Sequence, residues 1–196
     1  MDKQIYTKKN KSKSPAIFID RDGTINKEIG YLHKIEDWQW CPGAIDSLIK
    51  LSKTKYRIII ITNQAGIARG YYSHYDVYKL HSWFYNEIKI RKGRIDAIYF
   101  CPHHSQFGEL RNCGCRKPKP GMIFQAEKDM NLNLNSSWLI GDKVSDVEAG
   151  KKGGLRTILL SCPKTKEFVD NSSYADYSEI NLKSAIDFIL SAKLAN

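Results

Sequence analysis

The sequence lacks any apolar run near the ~18 residues needed to span a membrane as a helix, so no spanning segment and no membrane partner are expected. Its first residues are polar and lysine-rich, without the apolar core of a secretory signal, and a cytoplasmic protein is expected. Cysteine is scarce and odd in number, five in 196 residues, which argues against a disulfide framework. No G-x-x-x-x-G-K-[ST] phosphate loop occurs, which excludes that class of nucleotide site. There is no internal repeat, and no Pro/Gly/Ser-rich linker divides the chain. Acidic residues are also in deficit: 21 face 31 basic ones, a net charge of +10. Five lysines (Lys3, Lys8, Lys9, Lys11, Lys13) stand against the single acid Asp2 in the first 14 residues. Residues 1–14 therefore read as a disordered, solubilising arm, with 15–196 as one domain. The basic balance suits nucleic acid, a membrane surface or a small anionic substrate equally.

What remains is ordinary for a globular protein, 42% hydrophobic and 27% charged, with enough chain for one sizeable core. Short apolar runs at 16–19, 57–61, 95–100, 137–140 and 155–160 read as strands. Helical spacing appears at 43–53, 75–91, 121–131, 145–152 and 182–193, the last with Leu182, Ala185, Ile186, Ile189 and Leu190 on one face. Strands that are apolar throughout and alternate with helices predict an α/β fold, a doubly wound parallel sheet covered on both faces. Ligands of such sheets bind beyond the carboxyl ends of the strands. Asp20, Thr62, Cys101 and Asp142 fall at those ends.

Asp20 and Asp22 flank Arg21 just after the first of these strands, in Asp20-Arg21-Asp22-Gly23-Thr24. A turn explains Gly23, but not two carboxylates there and a third, Asp142, at a distant strand end. Phosphoryl transfer suits the set. Asp20 can attack phosphorus to form an acyl phosphate that water hydrolyses. Asp22 can protonate the leaving oxygen and then take a proton from water. Asp20 and Asp142 offer hard oxygen ligands to Mg²⁺. Thr62 can donate a hydrogen bond to the phosphoryl oxygens, and Lys117 can set a fixed positive charge on them. Arg116 can grip a second anionic group with its two-pronged guanidinium.

Cys101-Pro102-His103 and Cys113-Gly114-Cys115 form C-x-H-x9-C-x-C. Three thiolates and one imidazole suit tetrahedral Zn²⁺, with His104 as the competing imidazole. Filled by four protein ligands, the site is structural, a staple for a loop that leads directly into Arg116 and Lys117. Cys41 and Cys162 have no partner pattern and read as semi-buried residues; Trp38, Trp40, Tyr71 and Tyr72 read as packing.

Together, Asp20 to Thr24, Thr62, Lys117, and Gly141-Asp142-Lys143 with Asp146 resemble, in order, the haloacid dehalogenase (HAD) superfamily of phosphatases. The resemblance covers roughly residues 15–162. It implies a Rossmann-like fold without a large cap domain, and Mg²⁺ held by Asp20, Asp142 and the main-chain carbonyl of Asp22. Three stretches sharpen it: Asp20 to Asn26, Thr62 to Gly70, and Cys115 to Met122 look like the heptose 1,7-bisphosphate 7-phosphatases, which share much with the histidinol-phosphate phosphatases. That subgroup implies zinc on Cys101, His103, Cys113 and Cys115, and sugar contacts from the loop Glu28-Ile29-Gly30-Tyr31, which departs from the family pattern at Glu28 and Ile29. Arg21, Glu28, Gly30, Tyr31, Asn63, Gln64, Ala65, Arg116 and Lys143 are then expected to bind substrate; Ala65 stands where relatives often have serine. The implied reaction removes the 7-phosphate of D-glycero-D-manno-heptose 1,7-bisphosphate, in ADP- or GDP-heptose biosynthesis for lipopolysaccharide core or a related glycan.

Histidinol-phosphate phosphatase and nucleic-acid 3′-phosphatase are the alternatives within the same chemistry. A zinc-based nucleic-acid module without catalysis would leave Asp20, Asp22 and Asp142 unexplained, and no nucleic-acid partner is expected. The chain is read as a monomer acting on a small phosphorylated sugar. If the zinc loop carries Lys117 to its place, Cys113→Ala lowers activity; elemental analysis and phosphate release check this, and full activity without bound zinc contradicts it.

Overall fold

The strands that the sequence predicts are apolar on both faces, and in this computed structural model each face packs against helices. The structure describes residues 1–160 and 174–191. Cys162 and the expected end of the last helix, residues 192–193, lie outside them. The strands are β1 (Asp2–Ile5), β2 (Ala16–Ile19), β3 (Arg57–Asn63), β4 (Ala97–Cys101), β5 (Trp138–Gly141), β6 (Arg156–Leu160) and β7 (Tyr177–Glu179). The helices are α1 (Ala44–Ser52), α2 (His74–Ile90), α3 (Gly121–Met130), α4 (Val144–Lys152) and α5 (Leu182–Ser191). One sheet runs in the order β1-β4-β3-β2-β5-β6-β7, with every pairing parallel except β1 with β4.

Period-two alternation divides the core. Ile17, Ile19, Ile58, Ile60, Ile98 and Ile140 face α1, α2 and α5, through Leu48, Leu51, Leu80, Phe84 and Ile186. Ala16, Phe18, Ile59, Ile61, Tyr99 and Leu139 face α3 and α4, through Met122, Ile123, Ala126 and Ala149. The doubly wound expectation holds. Trp38 is core, stacked on Phe84 at 5.1 Å between ring centroids. α2 begins with a reciprocal cap: Ser73 Oγ accepts from Asp76 N, and Asp76 accepts from Ser73 N. β2, β3, β4 and β5 are neighbours, so their carboxyl ends form one continuous rim.

The expectation of a disordered arm over 1–14 is corrected. Residues 2–5 form β1, an antiparallel edge strand that alternates half-buried and exposed residues. Charged edge strands are how sheets discourage further pairing, and here the charges find partners: Lys3 pairs with Asp129 at 2.7 Å. Tyr6 stacks on Tyr85. Beyond β1 the arm is anchored by Asp96, a fully buried carboxylate just before β4. Asp96 accepts from Thr7 Oγ1 at 2.9 Å, Arg57 Nη1 at 2.5 Å and the main-chain N–H of Ile58 at 2.9 Å. Arg94 Nε lies 3.1 Å away. β7 is likewise an addition; its three polar residues carry little apolar signal.

Removing one partner from a buried ion cluster strands the others. Asp96→Ala is expected to cost about 3 kcal/mol, seen in a urea titration as a lower midpoint at unchanged slope. A loss under about 1 kcal/mol would show that Asp96 does not anchor the N-terminal segment.

Candidate active site

Four strand ends meet around a cavity of about 490 Å³ lined by Asp20, Asp22, Thr62, Lys117 and Asp146 at its polar end. Asp20 follows β2, its N–H bonded to Ile140 O at 2.9 Å, and is 4% exposed. Gly23 follows with φ +91°, and a Cβ there would sit 2.1 Å from Asp142 Oδ2. The turn therefore needs glycine both for its backbone angle and for the closeness of Asp142.

Lys117 supplies the buried positive charge. Its Nζ lies 2.5 Å from Asp20 Oδ1 and 2.5 Å from Asp146 Oδ1. Nζ also donates to Ile61 O at 3.1 Å. Burial alone would lower the Lys117 pKa, but Asp146 and Asp20 hold it above its ordinary value. Sequence reasoning gives Asp146 no role of its own; its place four residues after Asp142, on the first turn of α4, is the signal that could have supplied one.

Asp22 is held differently. Its Oδ1 accepts from Arg21 Nη2 at 2.8 Å, Arg21 Nε at 3.1 Å and Asn26 Nδ2 at 2.9 Å. Its Oδ2 accepts from Gln64 Nε2 at 3.0 Å and Thr62 Oγ1 at 3.3 Å. Burial pushes its pKa up, yet Arg21 and the bonds from Asn26 and Gln64 bring it below the usual carboxylate value.

Of the residues expected to touch substrate, Glu28, Gly30, Tyr31, Asn63, Gln64, Ala65, Arg116 and Lys143 line the cavity. Glu28 Oε2 and Lys143 Nζ form an ion pair at 2.7 Å across its mouth. Asn63 also fixes the Lys117 backbone, donating to Lys117 O and accepting from Lys117 N, both at 3.1 Å. Arg21 does not join the lining. It is wholly buried, directed toward Asp22, His81 and Leu32 O. Tyr72, read as packing, does pack with Val77 and Phe100 and also lines the cavity, donating to Gln64 Oε1 at 2.9 Å.

Three carboxylates, Asp20, Asp142 and Asp146, each bring one oxygen within 4.8 Å of the others. Asp142 Oδ1 is buried and has no hydrogen-bond partner among the described residues. Burial lifts the Asp142 pKa to about 6, with Asp146 adding to the rise and Lys143 and Lys117 opposing it, and burial lifts that of Asp20 well above normal. An all-oxygen set, short of positive charge and with an orphaned carboxylate oxygen, fits a hard divalent cation.

A second cluster sits behind Arg116. Cys101, His103, Cys113 and Cys115 converge, with Cys115 Sγ 3.3 Å from Cys101 Sγ and 3.4 Å from His103 Nδ1. Cys101 Sγ lies 3.6 Å from Cys113 Sγ. Zinc–sulfur bonds of about 2.3 Å imply tetrahedral edges near 3.8 Å, so the four ligands can hold a metal with small adjustment. A bond from Cys101 leads the effects that lower the Cys115 pKa to about 5, favouring the thiolate that a metal requires. His104 is committed elsewhere: Arg69 Nη2 lies 3.2 Å from its Nε2, and Gln106 N donates to its Nδ1. The loop passes this rigidity on, since Arg116 Nη1 donates to His103 O at 3.2 Å.

The raised Asp142 pKa sets a sign. A carboxyl group that is harder to ionise when folded favours the fold while protonated, and that contribution is lost as pH rises from about 4 through about 6. A divalent cation bound at these carboxylates would replace the proton. Melting in chelator and in excess Mg²⁺ is therefore expected to diverge by several degrees more at pH 7 than at pH 5; an equal gap at both pH values contradicts the assignment.

The HAD-hydrolase-like family model matches residues 114–176. A D-glycero-α-D-manno-heptose-1,7-bisphosphate 7-phosphatase from Photorhabdus laumondii is 48% identical over 152 residues, 76% of this chain and 83% of the relative. The corresponding β-anomer enzyme from Pasteurella multocida is 44% identical over 147 residues, 74% and 80% of the two chains. The fold matches the heptose bisphosphate phosphatase of B. bronchiseptica, solved with magnesium and phosphate, at a TM-score of 0.81 and 24% identity, covering 91% of this chain and 99% of that one. With relatives this similar over three quarters of its length and a carboxylate-lysine crevice at the strand ends, the chain is a phosphatase and belongs to the heptose-1,7-bisphosphate 7-phosphatase family of HAD-like hydrolases.

Proposed function

We propose that this phosphatase removes the 7-phosphate of D-glycero-D-manno-heptose 1,7-bisphosphate through an aspartyl phosphate on Asp20, releasing heptose 1-phosphate for glycan biosynthesis. The observation that carries the reading is Asp20 Oδ1 at 2.5 Å from the Lys117 ammonium at the polar end of a cavity whose wall bears Arg116. Relatives of both anomeric specificities match at comparable identity, which supports the heptose bisphosphate class.

Asp20 attacks the phosphorus of the 7-phosphate, and the bond to the sugar oxygen breaks. Asp22 gives that oxygen its proton; an incoming phosphate dianion raises the proton affinity of Asp22 against the pull of Arg21. Water then attacks the phosphorus of the acyl phosphate. Asp22 takes the proton, inorganic phosphate leaves, and Asp20 is restored. Thr62 and Lys117 bear on the phosphoryl oxygens as charge spreads over them. Asp20, Asp142 and the main-chain carbonyl of Asp22 would hold Mg²⁺, which would neutralise the remaining carboxylate and phosphoryl charge. Arg116, fixed by the zinc loop, and Lys143 sit where the retained 1-phosphate and the sugar oxygens can meet positive charge. The cysteine-histidine cluster acts as a closed structural zinc site.

A phosphate-release panel with Mg²⁺ tests the substrate, using both anomers of the heptose bisphosphate, histidinol phosphate, fructose 1,6-bisphosphate and a 3′-phosphorylated oligonucleotide. The heptose is expected to lead histidinol phosphate by more than about tenfold in kcat/KM; a smaller margin overturns the assignment. Asp20→Asn is expected to reduce turnover of every substrate to background, and substantial residual turnover removes the covalent route.

A further inference from the structure

Arg21 stands between two catalytic carboxylates in sequence, yet its side chain leaves the cavity. The guanidinium is fully buried. One edge, Nε and Nη2, embraces Asp22 Oδ1. Nη2 also donates to Leu32 O at 3.1 Å, and Nη1 meets His81 Nε2 at 2.9 Å.

His81 lies on α2, far from the motifs in sequence and 0% exposed. A guanidinium has only donors, so Nε2 must be the acceptor and the ring proton sits on Nδ1. Burial and then Arg21 both push the His81 pKa well below its ordinary value, in keeping with a neutral ring. Nδ1 is itself buried and, among the described residues, without a hydrogen-bond partner. The ring edge meets Phe100, 5.5 Å between centroids. A histidine with one stranded N–H is a costly way to fill apolar space. What this side chain contributes, and an apolar one would not, is an acceptor for Arg21.

The two oxygens of Asp22 are thereby made unequal. Oδ1 accepts three bonds, two of them from Arg21. Oδ2 is bonded to Gln64 and Thr62, both cavity-lining residues. Oδ2 is thus the oxygen left to exchange a proton with substrate.

We propose that His81 is a positioning residue for the reaction: by accepting from Arg21 it fixes the guanidinium that locks Asp22 Oδ1, and so aims Oδ2 at the leaving oxygen. This rests on the reading of Asp22 as the acid. A small rotation of a general acid away from its target costs rate without costing binding.

The test uses leaving groups. A sugar alkoxide needs a proton to depart, whereas p-nitrophenolate does not. kcat/KM covers steps only through departure of the leaving group, so it isolates the acid role. The magnesium-loaded enzyme is assayed on heptose bisphosphate and p-nitrophenyl phosphate as wild type, His81→Leu, His81→Met, His81→Gln and Asp22→Asn. The two acceptor-free variants are expected to lose about 30-fold in kcat/KM on the sugar and under about threefold on the aryl ester. His81→Gln, whose Oε1 can accept from Arg21, is expected to return the sugar value to within about threefold of wild type. Asp22→Asn should show the same selectivity with a larger loss. Equal losses on both substrates in the Leu and Met variants, no loss in either, or a Gln variant no better than Leu overturns the proposal while leaving Asp22 as the acid. Equal losses on both substrates in Asp22→Asn defeat that reading of Asp22, and the proposal with it.

Discussion

One buried ammonium governs this protein. Lys117 Nζ sits between Asp20 and Asp146, 2.5 Å from each, almost without solvent. Three carboxylates, Asp20, Asp142 and Asp146, crowd the same strand ends. A single internal cation does not neutralise them, which is why burial can raise the pKa of Asp20 and Asp142 and why the crevice suits a divalent ion. The deficit of positive charge is also what makes the site receptive, since ion and phosphate can enter together as a nearly balanced set.

Placing that ammonium is the work of structure beyond the motif. Lys117 follows a loop that has no strand or helix of its own, and two devices hold it. The cysteine-histidine cluster gathers residues 101–115, and Asn63, on the last position of β3, clamps both main-chain groups of Lys117. Gly121 N bonds Gly114 O at 3.0 Å, closing the loop onto the start of α3. The same loop carries Arg116 to the cavity wall. The loop that places Lys117 also places Arg116, so the buried charge and the cavity wall share one support. Asp22 has a support of its own, the buried Arg21, and the two frames meet at the end of β3, where Thr62 and Gln64 bond Asp22 and Asn63 clamps Lys117.

Much of this was legible in the sequence because it depends on strong local signals. Apolar runs marked β2, β3 and β5, the second of them β-branched nearly throughout, and acids or threonine at their ends marked the site. Cysteine and histidine spacing marked the loop cluster. What was not legible depends on partners far away in the chain. β1 reads as a polar lysine-rich tail until Tyr85, Asp129 and β4 are brought beside it. Arg21 reads as a substrate contact until His81 and Leu32 O enclose it. His81 sits in a helix whose pattern gives no reason to single it out. His103 and His104 are adjacent and chemically alike; only the direction of each ring separates a cluster member from a partner of Arg69.

The central claim is that Asp20 becomes covalently phosphorylated. Borohydride reduces an acyl phosphate to an alcohol, so trapping during turnover of heptose bisphosphate with Mg²⁺, followed by peptide mass spectrometry, reads the nucleophile directly. Homoserine is expected at position 20, dependent on substrate and absent from position 22. Steady phosphate release with position 20 unreduced, or reduction at position 22 in its place, would contradict it.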